Sequence, residues 1–506
     1  MELPQKPLPF LPEEGNISPS DHPKVAETSF DGMCSVDPIA LGFNQKTTRR
    51  LRRKIDYCLI PFLALLYLLS FLDRSNIGNA RLAGLEKDLK MEGLQYNNAL
   101  AIFFPFYVLA EIPSNLMMKR LRPSIWIPTI MVAWGTMCCL MGVVRSYRGL
   151  LAIRAALGVA EGGLFPGITF YITMWYQRHE CGLRMAIFFS AATAAGAFGG
   201  LLARAIVELN GHHDLSGWSW IFIIEGAITV LIAIVAYFVM HDYPDTAKFL
   251  TPVERHEVKR RLEVDNRYLD DKYQFKYFTD AVCDWKIWVH MFITIGIFSP
   301  LYSFSLFMPT IIKGLGYKDN AAQLMTVPPY VVACLFCIAG GWAADKHCQR
   351  GIYMIGFNLL AIIGFILQIA SSSHNVKYLG TFFAAAGIYP NVPQCVAWNG
   401  NNIGGSTKRA VGIAMQVGFG NLGGVLSGFT YTVYDAPKYE RGHGTVIGLL
   451  AMSTILSVFM RHWLRRENRK RDHEDARVNH GSCWPVADMF AQRELGDSAG
   501  FFRYTI

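Results

Sequence analysis

The chain has 506 residues, of which 52% are hydrophobic, 13% aromatic and only 17% charged, with a formal net charge of +9. A soluble fold carries roughly a quarter charged residues, and a single core stops growing well below this length. The composition therefore excludes a soluble enzyme or disordered scaffold and points to a polytopic membrane protein. The basic residues stand beside apolar runs, where they orient spans and meet anionic lipid, so no nucleic-acid partner is expected. The eleven cysteines are scattered, most of them within apolar stretches, which does not fit a secreted disulfide framework.

Residues 1–50 are rich in Pro, Ser, Glu and Asp and contain no apolar signal core, which predicts a disordered cytoplasmic tail. About 20 apolar residues cross a bilayer as a helix, and twelve such segments follow. In residues 51–240 they are 57–77, 97–117, 125–145, 148–174, 184–207 and 218–240. The first ends in Leu72-Asp73-Arg74-Ser75-Asn76-Ile77-Gly78-Asn79, an acid and a base that a membrane helix keeps only for a reason. The second carries Glu111, two residues before Pro113, in a position suited to gating. Arg154 and Glu161 lie inside the fourth, seven residues or about 10 Å apart on one helix face. Gly158 between them leaves room for a ligand or a close helix neighbour.

Residues 241–284 form a charged stretch, with Arg255-His256-Glu257 and Lys259-Arg260-Arg261, and read as a solvated linker helix. The second half, 285–464, repeats the pattern at 286–312, 322–344, 351–371, 377–399, 409–433 and 443–463. The loop after its second span begins Gly341-Trp342-Ala343-Ala344-Asp345-Lys346, so Asp345 and Lys346 are candidate gating residues. Further on, Trp398 and Asn399, then Gln416 and Asn421, are polar groups able to hydrogen-bond a substrate in a cavity. His212-His213-Asp214 reads as a solvated loop, and no metal site is expected. Residues 465–506 form a second tail. Lys and Arg concentrate in one alternating set of loops, which places both tails and the linker in the cytoplasm.

The chemistry suits an anion carrier. Arginine stays protonated and its planar fork matches a carboxylate, while an acid in a low-dielectric cavity resists ionising. A fixed cation beside a titratable acid is what proton-coupled carriage of an organic anion requires. Arg154 with Glu161 leads on this ground, followed by Asp73 with Arg74.

Six spans, a long linker and six more resemble the major facilitator architecture, and the Gly341–Lys346 pattern resembles that superfamily's loop signature. Within it, the chain resembles the fungal anion:cation symporters, the allantoate and nicotinate permease group. The resemblance is carried by Leu72 through Ala80, Glu111-Ile112-Pro113-Ser114-Asn115, Arg154 through Gly167, Trp218 through Gly226, Asp435-Ala436-Pro437 with Tyr439, and Phe502-Arg503-Tyr504. It implies that Arg74 and Arg154 hold a substrate carboxylate, that Glu161 couples protons and that Asp73 assists. The expected protein is an all-α, twelve-helix secondary transporter of two six-helix bundles, not an enzyme. It would use the proton gradient and no cofactor, and act as a monomer in the plasma membrane or the vacuolar membrane. A proton-antiport exporter and a non-transporting nutrient sensor are the alternatives. The absence of a Gly-Pro pair in Gly196-Ala197-Phe198-Gly199-Gly200 counts against the exporter, and the modest tails count against the sensor.

Overall fold

The computed structural model describes residues 45–266, 275–315, 319–431, 439–478 and 492–506, all helix and loop. Most of the expected N-terminal tail and Asp435, Ala436 and Pro437 lie outside the described residues. The first half contains α1 (Gln45–Leu82), α2 (Leu85–Asp88), α3 (Gln95–Ala101), α4 (Phe103–Arg120), α5 (Pro123–Met141), α6 (Tyr147–Glu161), α7 (Leu164–Thr173), α8 (Cys181–Val207) and α9 (Gly217–Val239). The linker holds α10 (Pro252–Asn266) and α11 (Phe275–Cys283). The second half contains α12 (Trp285–Gly314), α13 (Asp319–Lys346), α14 (Gly351–Ala370), α15 (His374–Asn402), α16 (Ser406–Thr430) and α17 (Glu440–Val478).

Among the described residues ten helical segments, α6 and α7 counted as one, are long and apolar enough to cross a membrane. The twelve-helix fold is completed by α4 and α15, which fall short for physical reasons. Within its 18 residues α4 carries Glu111, Lys119 and Arg120. Most of α15 is buried on every side, including Asn391, Gln394, Asn399, Asn401 and Asn402, so it has little surface to offer lipid. Two expected spans are each split in two. The second breaks at Ile102 between α3 and α4, and the fourth breaks at Gly162-Gly163 between α6 and α7. Interrupted helices are tolerated in a membrane where neighbouring protein satisfies the freed backbone. The last helix runs fifteen residues past its expected end at 463.

Each half packs as a bundle of six, and two seams join them. α4 meets α16 along one seam and α8 meets α13 along the other. Small residues make the approaches close. A Cβ on Gly424 of α16 would run into the Phe104 ring of α4, and one on Gly158 of α6 would meet the Phe103 carbonyl. The room left at Gly158 is thus taken by a helix neighbour.

The end of the molecule at which α1 begins and α17 finishes, here the terminal face, is densely paired. Arg184 grips Asp56 with two bonds of 2.8 and 2.9 Å, and Glu180 receives both Arg52 (2.8 Å) and Arg261 of the linker helix (2.7 Å). Burial works against the Glu180 carboxylate, but the surrounding Arg261, His179, Arg52 and Arg184 outweigh it and hold its pKa below the usual range. The solvated linker expected from sequence is therefore pinned to the bundle by salt bridges.

Asp345 closes the α8–α13 seam. One carboxylate oxygen accepts the Leu183 amide in the first turn of α8 at 2.6 Å, where the helix dipole favours an anion. The other accepts Arg350 at 2.6 Å. Gly182 lies directly beneath, and a Cβ there would collide with both the Arg350 guanidinium and the Asp345 carboxylate. Gly182→Ala is expected to cost about 1–3 kcal/mol through overpacking. The check is the thermal midpoint of purified protein in detergent, and an unchanged midpoint would refute this close fit. Lys346, by contrast, stands over the Trp342 ring at 4.9 Å and takes no part in the seam bonds.

Residues 492–506 form a clasp over the second bundle at the terminal face. Buried Asp497 receives Lys286 of α12 and Lys408 of α16, the latter at 2.6 Å. Arg471 of α17 donates to the carbonyls of Asp497 (3.0 Å) and Phe502 (2.9 Å). Asn402 exchanges two bonds with the Thr505 backbone (3.0 and 2.7 Å), and the Ile506 carbonyl accepts the Arg350 amide at 2.7 Å. The clasp also reaches the first bundle, since Arg178 stacks over the Phe502 ring at 4.9 Å.

Candidate functional site

The polar groups of α1 divide between two environments. Neighbouring residues on a helix project about 100° apart, so Asp73 and Arg74 face different ways. Asp73 turns into the interior of the first bundle, where it accepts Trp134 Nε1 (3.0 Å) and Thr229 Oγ1 (2.9 Å). Glu225 of α9 receives Asn76 in the same interior. Arg74 faces the interface between the bundles.

Four residues connect across that interface. Glu161, at the last turn of α6 before the Gly162-Gly163 break, accepts Arg74 Nη2 at 2.7 Å and the Ser70 hydroxyl at 2.5 Å. Arg74 Nη1 donates to the Tyr302 hydroxyl of α12 at 2.9 Å, and Tyr302 donates to Asn421 Oδ1 of α16 at 2.6 Å. The chain Glu161–Arg74–Tyr302–Asn421 thus runs from the first bundle into the second. The Arg74 guanidinium lies 5.1 Å from both the Phe103 and Tyr107 ring centres, so its faces are covered by aromatic rings.

Arg154 also approaches Phe103, 5.2 Å from the ring centre. Its Nε donates to the Ala99 carbonyl at 3.2 Å, but its Nη1 is buried with no hydrogen-bond partner. The sequence pairs Arg154 with Glu161, whereas in the structure Glu161 is engaged by Arg74. Among the described residues no carboxylate lies within ion-pairing distance of Arg154.

Arg154, Arg74 and Tyr302 line a cavity of about 350 Å³ together with Phe71, Phe104 and Ser305. It shares Phe71, Ser75, Leu100, Ser305 and Leu306 with a larger vestibule of about 820 Å³. The vestibule is lined by the last third of α1, from Phe71 to Arg81, and so lies toward the face opposite the termini. At its rim Arg81 pairs with Glu86 at 2.9 Å and covers the Tyr96 ring at 4.2 Å. The terminal side carries the Asp345 contacts and the clasp instead.

The other sequence candidates are placed elsewhere. Asn399 donates to Gln416 (2.9 Å), and Gln416 donates to Thr294 (2.8 Å) and the Cys395 carbonyl (3.1 Å), deep inside the second bundle. Trp398 is fully buried, and its indole N–H donates to the Thr505 carbonyl of the clasp at 2.9 Å. These three residues hold the bundle and clasp together and do not border the cavity, since each spends its polar atoms on its neighbours. Glu111 is buried on the α4–α16 seam. Tyr302 and Ser70 were not singled out by sequence, because a Tyr or Ser in an apolar run carries no distinguishing pattern. Among the described residues no cluster of His, Cys, Asp and Glu is arranged to hold a metal, and His212, His213 and Asp214 are exposed.

The profile of the Major Facilitator Superfamily matches residues 63–428. The chain belongs to that superfamily. The curated transporter cnsO of Penicillium expansum is 37% identical over 484 residues, covering 92% of both chains. The major facilitator-type transporter hxnP of Emericella nidulans is 33% identical over 489 residues and 94% of each chain. The uncharacterized transporter C1683.12 of Schizosaccharomyces pombe is 34% identical over 461 residues, covering 91% of this chain and 93% of its own length. Among solved structures, the human organic anion transporter MFSD10 superposes with a TM-score of 0.60 at 12% identity, over 79% of this chain and 99% of its own. The proton:xylose symporter XylE gives 0.59 at 14% identity, over 79% and 95%. At these identities the structural likeness concerns the fold. This major facilitator protein is a membrane transporter of a small-molecule substrate, not an enzyme.

Proposed function

We propose that the chain carries a small organic anion together with protons, by alternating access of the two bundles about the Arg74–Arg154 cavity. The observation that carries this reading is Arg154, a buried guanidinium lining the cavity with an unpartnered Nη1 and, among the described residues, no carboxylate within ion-pairing distance. An uncompensated buried charge is costly, so an anion reaching that cavity is strongly favoured. A carboxylate accepts two parallel N–H bonds from such a fork. The aromatic walls of the cavity, Phe71, Phe104 and Tyr302, suit the apolar body of a small organic acid.

Proton coupling follows from Glu161. When a substrate carboxylate takes over Arg74, the Glu161 carboxylate loses its cation and is stabilised by a proton in its place. Substrate and proton then load together. Proton symport on this fold has a precedent in the xylose symporter, and the charged pattern of α1 and α6 supports membership of the anion:cation symporter branch. With basic loops inside, the terminal face is cytoplasmic and the vestibule opens outward. The protein works in the plasma membrane as a monomer without a cofactor, importing its anion.

Reconstituted vesicles offered a panel of labelled carboxylates, with and without an inward proton gradient, test this. Gradient-driven accumulation of one or more carboxylates is the expected result. Accumulation only on reversing the gradient indicates an exporter, and saturable binding without flux indicates a sensor. Arg154→Ala is expected to weaken the accepted carboxylate by about tenfold to a hundredfold, the worth of a hydrogen bond to a charged group. Unchanged affinity would remove Arg154 from the site.

A further inference from the structure

Glu111 is a buried acid that none of these contacts uses. It lies along α4 with no exposed surface, and neither carboxyl oxygen has a hydrogen-bond partner. It faces the seam between the bundles, where a Cβ on Gly418 of α16 would stand 3.1 Å from its Oε2. From α16 it is faced by the amide of Asn421, whose Nδ2 is likewise unpartnered, and from α1 by the Arg74 guanidinium. Tyr107 on its own helix and Tyr302 of α12 are the other titratable groups within its reach. From α6, Glu161 is already engaged by Arg74 and Ser70.

This environment accommodates only one form of the side chain comfortably. Burying a carboxylate costs more than burying the neutral acid in a protein interior, and the Asn421 amide and the Arg74 guanidinium, which is shared with Glu161, offset only part of that cost. A buried polar group left unsatisfied in one conformation is explained if another conformation satisfies it. The α4–α16 seam is shut here: Phe104 of α4 is seated against Gly424, and toward the vestibule end Asn97 of the preceding α3 donates to the Gly428 carbonyl at 2.5 Å. Rocking of one bundle against the other parts these two helices and brings water to Glu111.

We infer that Glu111 is a second proton station, which holds its proton while the seam is shut and yields it when α4 and α16 separate. In that step the Glu111 O–H bond breaks, the proton passes to water and the hydrated carboxylate stays behind. Asn421, which bonds Tyr302 on one side and faces Glu111 on the other, joins the seam to the substrate site. The two acids divide the coupling: Glu161 responds to occupancy of Arg74, and Glu111 responds to which side of the seam is open. This inference rests on the proton-coupled reading above.

The test compares wild type, Glu111→Gln and Glu111→Asp in proteoliposomes, using the labelled carboxylate of the panel that wild type accumulates fastest. Two quantities are measured, counterflow exchange without a gradient and accumulation under an inward gradient of one pH unit. Such a gradient drives about tenfold accumulation at one proton per substrate. Glu111→Gln is expected to lose accumulation far more than exchange and to flatten the pH profile, while Glu111→Asp keeps both in proportion. If wild type responds to the gradient and Glu111→Gln responds equally, this inference is overturned alone. A proportional loss of exchange and accumulation in Glu111→Gln also overturns it, because that marks a packing role. If wild type itself ignores the gradient, the proton-coupled reading falls and the inference falls with it.

Discussion

Arg74→Ala is expected to reduce carboxylate uptake at least about a hundredfold and to lower the stability of the purified protein at the same time. Arg74 is the middle link of the chain that joins the bundles, bonded to Glu161 on one side and to Tyr302 on the other. Removing it leaves the Glu161 carboxylate buried and without a cation, and breaking a buried pair in this way costs about 3–5 kcal/mol. It also removes one of the two guanidinium forks lining the cavity. Loss of a buried charged partner at a binding site costs about 2–5 kcal/mol, which corresponds to the hundredfold effect. Arg74→Lys retains the charge but cannot serve Glu161 and Tyr302 through a planar fork, so it should recover stability more than transport. In the double variant Arg74→Ala with Glu161→Gln, the orphaned acid is gone and most of the stability returns while uptake stays lost. Uptake assays beside thermal midpoints separate the two effects. Near-normal uptake in Arg74→Ala would dismiss the site.

The second large effect belongs to the clasp. Asp497→Ala should cost about 3–5 kcal/mol, because Lys286 and Lys408 are left facing one another with Asp284 as their remaining anion. Replacing Lys286 with Met in that background is expected to restore part of the loss. Burial opposes the charge on Asp497, but Lys286 and Lys408 outweigh it and hold its pKa below the ordinary carboxylate range. A depressed pKa contributes stability that is complete above the unfolded value, about pH 4, and is lost as the pH falls through the lower folded value. The difference in thermal midpoint between wild type and Asp497→Asn should therefore be full at neutral pH and close only in acid. A pH-independent difference would mean that packing, and not charge, holds the clasp.

The fold was largely legible because a bilayer imposes a length and a polarity that short-range sequence records directly. Where the reading missed, the cause was tertiary. The break at Gly162-Gly163 falls where α6 packs closely on α4, Gly162 meeting the Tyr107 carbonyl. The extension of α17 through its charged end depends on the clasp that Arg471 and Asn468 hold. In the site, charge was informative and neutral polarity was not. Arg74, Arg154 and Glu161 were visible because a charge in an apolar helix is rare. Their pairing was not, since it depends on how α1 rotates against α6. Asn421 and Gln416 are five residues apart on one helix, yet one bonds Tyr302 at the interface between the bundles and the other stays in its own bundle. Tyr302, the link between Arg74 and Asn421, has no sequence signal apart from its neighbours in space.

The charged residues among the described lining of the cavity, Arg74 and Arg154, come from the first half of the chain, whereas the second half supplies the hydroxyls of Tyr302 and Ser305. Recognition of charge and recognition of shape are therefore encoded on different halves. On the proposed reading, divergence in the second half can retune which acid is accepted while leaving untouched the requirement that it be an acid.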